Sequence, residues 1–99
     1  MARTIQVGER LLLRDPEHHV YLAIKIALQH SYGNVFLTPV KIARILGIPS
    51  KPSLLVLINT ILRELEKKGV AELWDKNSHR YLWLIYRDRF FQEVGSSRR

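Results

Sequence analysis

From Asp15 to Gly69 the apolar positions recur at helical spacing, in three segments separated by turn residues. The first segment opens on Asp15-Pro16, an acidic cap followed by a proline whose missing N–H costs nothing at that position. It should run as a helix to about Tyr32 and end at Gly33-Asn34. Val20, Ala23, Ile24 and Ala27 share one face, and His18, Lys25 and Gln29 the opposite one. Leu22 and Ile26 flank the polar stripe, so the apolar face is wider than one core contact requires. A short β-favouring run, Val35-Phe36-Leu37, precedes the second segment. There Thr38 is the expected N-cap, Pro39 the first helical residue and Gly47 the stop. Ile42, Ala43 and Leu46 point inward, joined by Ile48 in the turn, while Lys41 and Arg44 point outward. Ser50 or Ser53 is expected to cap the third helix, with Pro52 in its first turn. That helix should span about Pro52 to Lys68, closed by Gly69. Its inward face is Leu54, Leu57, Ile58, Ile61, Leu62 and Leu65; its outward stripe is Val56, Asn59, Thr60, Arg63 and Lys67.

After Gly69 the period drops to two. Val70 to Trp74 reads as a strand, Asp75 to His79 as a turn-rich loop, and Arg80 to Tyr86 as a second strand. In this last strand Tyr81, Trp83 and Ile85 face one way and Leu82, Leu84 and Tyr86 the other. One helical layer covers only one sheet face, so the second needs cover of its own. Phe90 and Phe91, the Leu11 to Leu13 stretch, or a second subunit are the candidates. Arg87 to Val94 suits a short helix, and Gly95 to Arg99 a polar, basic tail. Met1 to Arg14 is an N-terminal arm in which Ile5 and Val7 alternate like a strand, Gly8 breaks the run, and Leu11 to Leu13 require burial.

The segment from Thr38 to Leu65, a short helix, a tight turn and a longer helix, has the shape of a helix-turn-helix. With the short strand before it and the hairpin after it, the order of elements is similar to that of winged helix-turn-helix proteins. Thr38-Pro39-Val40-Lys41-Ile42-Ala43 resembles the opening of that family's second helix. Leu62-Arg63-Glu64-Leu65-Glu66-Lys67-Lys68-Gly69-Val70 resembles the end of its recognition helix entering the first wing strand. The resemblance covers roughly Asp15 to Tyr86 and implies an α+β, mainly helical fold. Residues 1–14 would then be an arm, 15–86 the winged-helix domain, and 87–99 a C-terminal segment. It further implies a third helix that reads a DNA groove, a wing that touches backbone or minor groove, and membership among dimeric transcription regulators or protein-binding relatives. Two features are particular to this chain: the apolar start of the third helix, Leu54 to Ile58, and a wing loop that carries Asp75 beside Lys76 and Arg80.

Composition changes the picture in one respect. The 99 residues are 46% apolar and 25% charged, as expected of one folded domain. Sixteen Lys and Arg against nine Asp and Glu leave a formal charge of +7, which favours a polyanionic partner. There is no cysteine, hence no disulfide, no thiolate metal site and no cysteine nucleophile. The longest uncharged apolar run, Leu54 to Ile58, is too short to span a bilayer, and the charged first fifteen residues do not read as a signal peptide. No membrane association is expected; an intracellular, cytoplasmic protein is, nucleoid-associated in a prokaryotic host.

Candidate contact residues follow from the outward positions. Asn59 and Arg63, four apart, share one helix face; asparagine pairs with adenine and arginine with guanine. Thr60 lies between them, and Arg63 has the plainer option of pairing with Glu64 or Glu66. Ser50, Lys51 and Ser53 surround a helix start that suits a phosphate, or simply cap it. Lys41, Arg44 and Lys67 are placed to hold backbone, or are solvated charges. Lys76, His79 and Arg80 in the wing loop suit phosphate or the minor groove.

His18-His19, His30 and His79 have no zinc-motif spacing, so no metal or other cofactor is expected. No phosphate loop, nucleophile elbow or placed carboxylate pair points to an enzyme. The expectation is a sequence-specific, homodimeric double-stranded DNA-binding regulator. The alternatives are a winged-helix adaptor in a replication, transcription or division complex, binding protein through its wing or termini, and a sequence-neutral chromatin protein.

Overall fold

A computed structural model describes residues 9–77 and 80–97, with side chains for 9–74 and 81–95. The chain is α+β and mostly helical: α1 (Glu9–Arg14), α2 (Pro16–Gln29), β1 (Val35–Leu37), α3 (Pro39–Leu46), α4 (Pro52–Lys67), β2 (Ala71–Asn77), β3 (Arg80–Ile85) and α5 (Arg87–Ser97). The strands form one antiparallel sheet in the order β1-β3-β2, with Leu37 opposite Trp83 on one side and Leu73 opposite Trp83 on the other. This order is compatible with a winged helix.

Two helix starts and two stops follow their local chemistry. Asp15 caps α2 by accepting the His18 N–H at 3.2 Å, and Thr38 caps α3 by accepting that of Lys41 at 3.1 Å. Gly47 (φ 73) and Gly69 (φ 77) hold left-handed backbone after α3 and α4. At each, the next residue reaches back to the last turn: Ile48 N–H to Ala43 O at 3.0 Å, and Val70 N–H to Leu65 O at 2.9 Å.

Several boundaries differ from the sequence reading. β2 continues to Asn77, into the expected Asp75 to His79 loop, because its pairing with β3 runs on to Asn77 opposite Arg80, and α5 continues to Ser97, past the expected end at Val94. The expected serine cap of α4 is absent: Lys51 occupies the cap position with no side-chain cap bond. Pro52 explains this, because the residue before a proline is held extended (Lys51 φ −73, ψ 143) and therefore becomes the boundary. α2 ends at Gln29 rather than near Tyr32. Its freed carbonyls are taken from afar, the Arg87 guanidinium donating to Leu28 O at 2.7 Å and to Ser31 O at 3.3 Å. In the arm, Glu9–Arg14 is a helix, and of Leu11 to Leu13 only Leu12 is buried. The strand-like alternation at Ile5 and Val7 lies outside the described residues.

One core unites the elements. Ile24 and Leu28 of α2, Ile42 and Leu46 of α3, Ile58, Leu62 and Leu65 of α4, and Trp83 and Ile85 of β3 are fully buried. Leu57, expected inward, is only half-buried. Leu12 and Phe90 join the same core, Phe90 meeting Tyr21 edge to face at 5.7 Å. They therefore do not cover the far side of the sheet. There, Phe36 of β1 and Trp74 of β2 meet edge to face at 5.4 Å, although β3 lies between their strands. Trp74 sits at the register break between Leu73 and Asp75, and strand alternation from Glu72, opposite Leu84, puts it on this face. Phe36 stands opposite Leu84, which is buried but apart from the main core. Two aromatic rings from the edge strands thus supply cover that the sequence left open.

Candidate nucleic-acid interface

The outward edge of α4 contains Ser53, Val56, Thr60 and Lys67, all exposed, with Asn59 and Arg63 half-buried beside them. The spacing of three and four residues that puts Ile58, Leu62 and Leu65 in the core puts this edge in solvent. A groove of about 770 Å³ runs along it, walled by the start of α3 (Thr38, Val40), by α4 (Val56, Thr60, Arg63) and by Tyr81 of β3.

Two side chains tie helix to sheet here. The Trp83 indole Nε1–H donates to Asn59 Oδ1 at 2.9 Å. Asn59 is therefore not free on the outward stripe, as its position on the helical wheel suggests. Its carbonyl oxygen, half of any bidentate bond to adenine, is already engaged. The Arg63 guanidinium lies 5.8 Å from the centre of the Tyr81 ring, a cation–π contact and not the alternative pairing with Glu64 or Glu66. Glu64 instead accepts from Lys67 at 3.3 Å.

Thr60 makes a different kind of bond. Its hydroxyl donates to the Val56 carbonyl one turn earlier at 2.9 Å. With the hydroxyl committed to the helix, the methyl is what Thr60 offers outward. Beside it stands Val56, 65% exposed, and across the groove Val40, 38% exposed.

The remaining predicted positions are spread out. Lys51 pairs with Glu9 at 2.9 Å, which docks α1 against the start of α4. Ser50 and Ser53 are exposed near the same helix start. Lys41 and Arg44 line a second groove of about 660 Å³, floored by Ile26, Ala27 and Ile45 between α2, β1 and α3. They thus stand on a different groove from Arg63. Lys76 and Arg80 lie in β2 and β3 with side chains outside the described set, and His79 lies outside the described residues. Tyr81 and Val56 are the interface residues that sequence reasoning passed over. The signals were Val56 on the outward stripe and Tyr81 on the Trp83 side of its strand.

Groups with shifted titration lie at the other end of α4. Lys68 is held protonated above its ordinary range, chiefly by its hydrogen bond to Glu93 at 2.9 Å. Tyr86 is raised by its hydrogen bond to Glu72, and Tyr21 by burial. Among the described residues no three His, Asp or Glu converge as a metal site, and no helix is long and apolar enough to cross a membrane.

A search of protein-family models finds no match, and neither does a search of curated proteins or of solved structures.

Proposed function

We propose that this chain binds double-stranded DNA as a winged helix-turn-helix protein and acts as a dimeric transcription regulator. α4 enters the major groove along its Ser53–Lys67 edge, Arg63 contacts a base edge, Lys51 and Lys67 contact phosphate, and the β2–β3 hairpin lies against the flanking backbone. The observation that carries this reading is the edge itself. Val56 and Thr60 are exposed at its centre, with Arg63 half-buried beside them, and all three line an open groove. The formal charge of +7 supports a polyanionic partner.

A mobility-shift titration of mixed duplex DNA against salt tests it. If about six phosphates are neutralised, log affinity falls against log salt with a slope of about −5. A flat salt response, or no shift at low salt, defeats the proposal.

A second reading, a winged-helix adaptor for another protein, is favoured by the aromatic pair Phe36 and Trp74, 45% and 59% exposed. Native mass measured with and without DNA separates the two, because an adaptor stays free of duplex.

A further inference from the structure

We infer that the α4 edge reads thymine, through its C5-methyl group, as the main feature of its target. The inference rests on the DNA-binding reading above and deepens it.

The starting point is what the middle of the edge lacks. Val56 has no polar atom in its side chain and is 65% exposed. Thr60 has one, and its hydroxyl already donates to Val56 O at 2.9 Å. Asn59, the amide that would read adenine, has its Oδ1 occupied by Trp83 at 2.9 Å. At the centre of the helix face, then, the Thr60 hydroxyl proton and the Asn59 carbonyl oxygen are taken up within the protein, and two methyl-bearing side chains face out. The floor of the major groove displays donors and acceptors at every base pair, but only one apolar group, the thymine methyl. Val56 and the Thr60 methyl offer no hydrogen bond to a G·C pair and leave the polar edge beneath them unsatisfied. Against thymine they bury methyl on methyl. Arg63, steadied over Tyr81, supplies the polar contact one turn further on and suits a guanine beside the thymine step.

Charge argues that DNA occupies this apolar edge, in preference to another protein. Arg63 and Lys67 stand on the same edge, and the chain as a whole carries +7. Glu64 and Glu66 lie toward the C-terminal side of the methyl patch, and Glu64 is already paired with Lys67.

The test uses the full chain. Duplexes are selected from a randomised pool and resynthesised with deoxyuridine in place of thymine at one position at a time, which removes only the methyl. The expected result is a loss of about fourfold in affinity at one or two thymines, the worth of one buried methyl. Val56→Ala should bind thymine and deoxyuridine duplexes alike at one such position. Thr60→Ser, which keeps the hydroxyl bond and deletes only the methyl, should do so at the other. Both substitutions lie on an exposed helix face, and circular dichroism confirms that the variants are folded. Equal affinity for thymine and deoxyuridine duplexes at every position overturns the inference while leaving DNA binding in place. Discrimination that persists in both variants also overturns it. Failure of the unaltered chain to retain any duplex, or its retention of a protein partner on this face instead, overturns both this inference and the function beneath it.

Discussion

Trp83 and Asn59 are joined by an N–H···O bond of 2.9 Å between the central strand and α4. Trp83 is fully buried, so Asn59 is the partner its indole N–H has in the core. The bond makes Asn59 a strut that ties the α4 edge to the central strand. Asn59→Ala should destabilise the fold by about 1–3 kcal/mol, the cost of stranding a buried donor. Urea denaturation followed by tryptophan fluorescence measures it. A loss no larger than that of an ordinary surface substitution would remove the strut role.

Arg63 and Lys51 should fail in different ways. Arg63→Ala should cost about 1–3 kcal/mol on the selected duplex and little on random duplex, as loss of a base contact does. Lys51→Ala should weaken all duplexes alike and lower the salt slope by about one. Its exposed pair with Glu9 contributes at most about 1 kcal/mol to stability, so any larger melting change would mean that α1 depends on it. Gel shifts on selected and random duplexes separate the two patterns.

The terminal helices belong to the core rather than to its margin. Leu12 and Phe90 are each at or below 1% exposure. Leu12→Ala should therefore cost about 2–5 kcal/mol and Phe90→Ala about 3–5 kcal/mol. Chemical denaturation decides it; losses below 1 kcal/mol would show that α1 and α5 dock only weakly.

Gly69 isolates a pure backbone effect. Its φ is 77, and a Cβ built there meets nothing within 4 Å. Gly69→Ala should lose about 1–2 kcal/mol from the left-handed conformation alone. Gly69→Asn, which tolerates that region better, should lose less. Thermal melts of the pair check the order.

Stability should fall in alkali. Tyr21, Lys68 and Tyr86 all have pKa values raised by folding, above ordinary values of 10.0, 10.5 and 10.0. A raised pKa means that the folded state holds its proton more tightly. Its contribution is complete below the ordinary value and is lost as pH climbs through the folded one. The melting temperature should therefore be insensitive to these groups near neutrality and decline above about pH 10, the lowest of those ordinary values. Tyr86→Phe should soften the decline by removing the phenol bonded to Glu72. A decline unchanged in Tyr86→Phe would show that Tyr86 contributes nothing to it.

Much of the secondary structure was legible because it is local. Period and punctuation suffice to place α2, α3, α4 and the hairpin: Asp15-Pro16 and Thr38-Pro39 start helices, Gly47 and Gly69 end them, and leucines and isoleucines at spacings of three and four mark the buried side. These signals act within one turn of chain, so a single sequence contains them whole. The same is true of the outward exposure of Val56, Thr60 and Lys67.

The rest depended on groups brought together from distant positions. Nothing near Asn59 in the chain says that Trp83, twenty-four residues on, will claim its oxygen. Nor does anything near Gln29 say that Arg87 will satisfy the end of its helix. A helical wheel gives the direction of a side chain but not what stands in that direction. That is why the wheel put Arg63 on the outward stripe but could not show Tyr81 standing across the groove from it. It is also why Lys41 and Arg44, outward as expected, open onto a different groove from Arg63. Periodicity along the chain determined which residues face water; only the packing of helix against sheet decided which of those remain free to touch a partner.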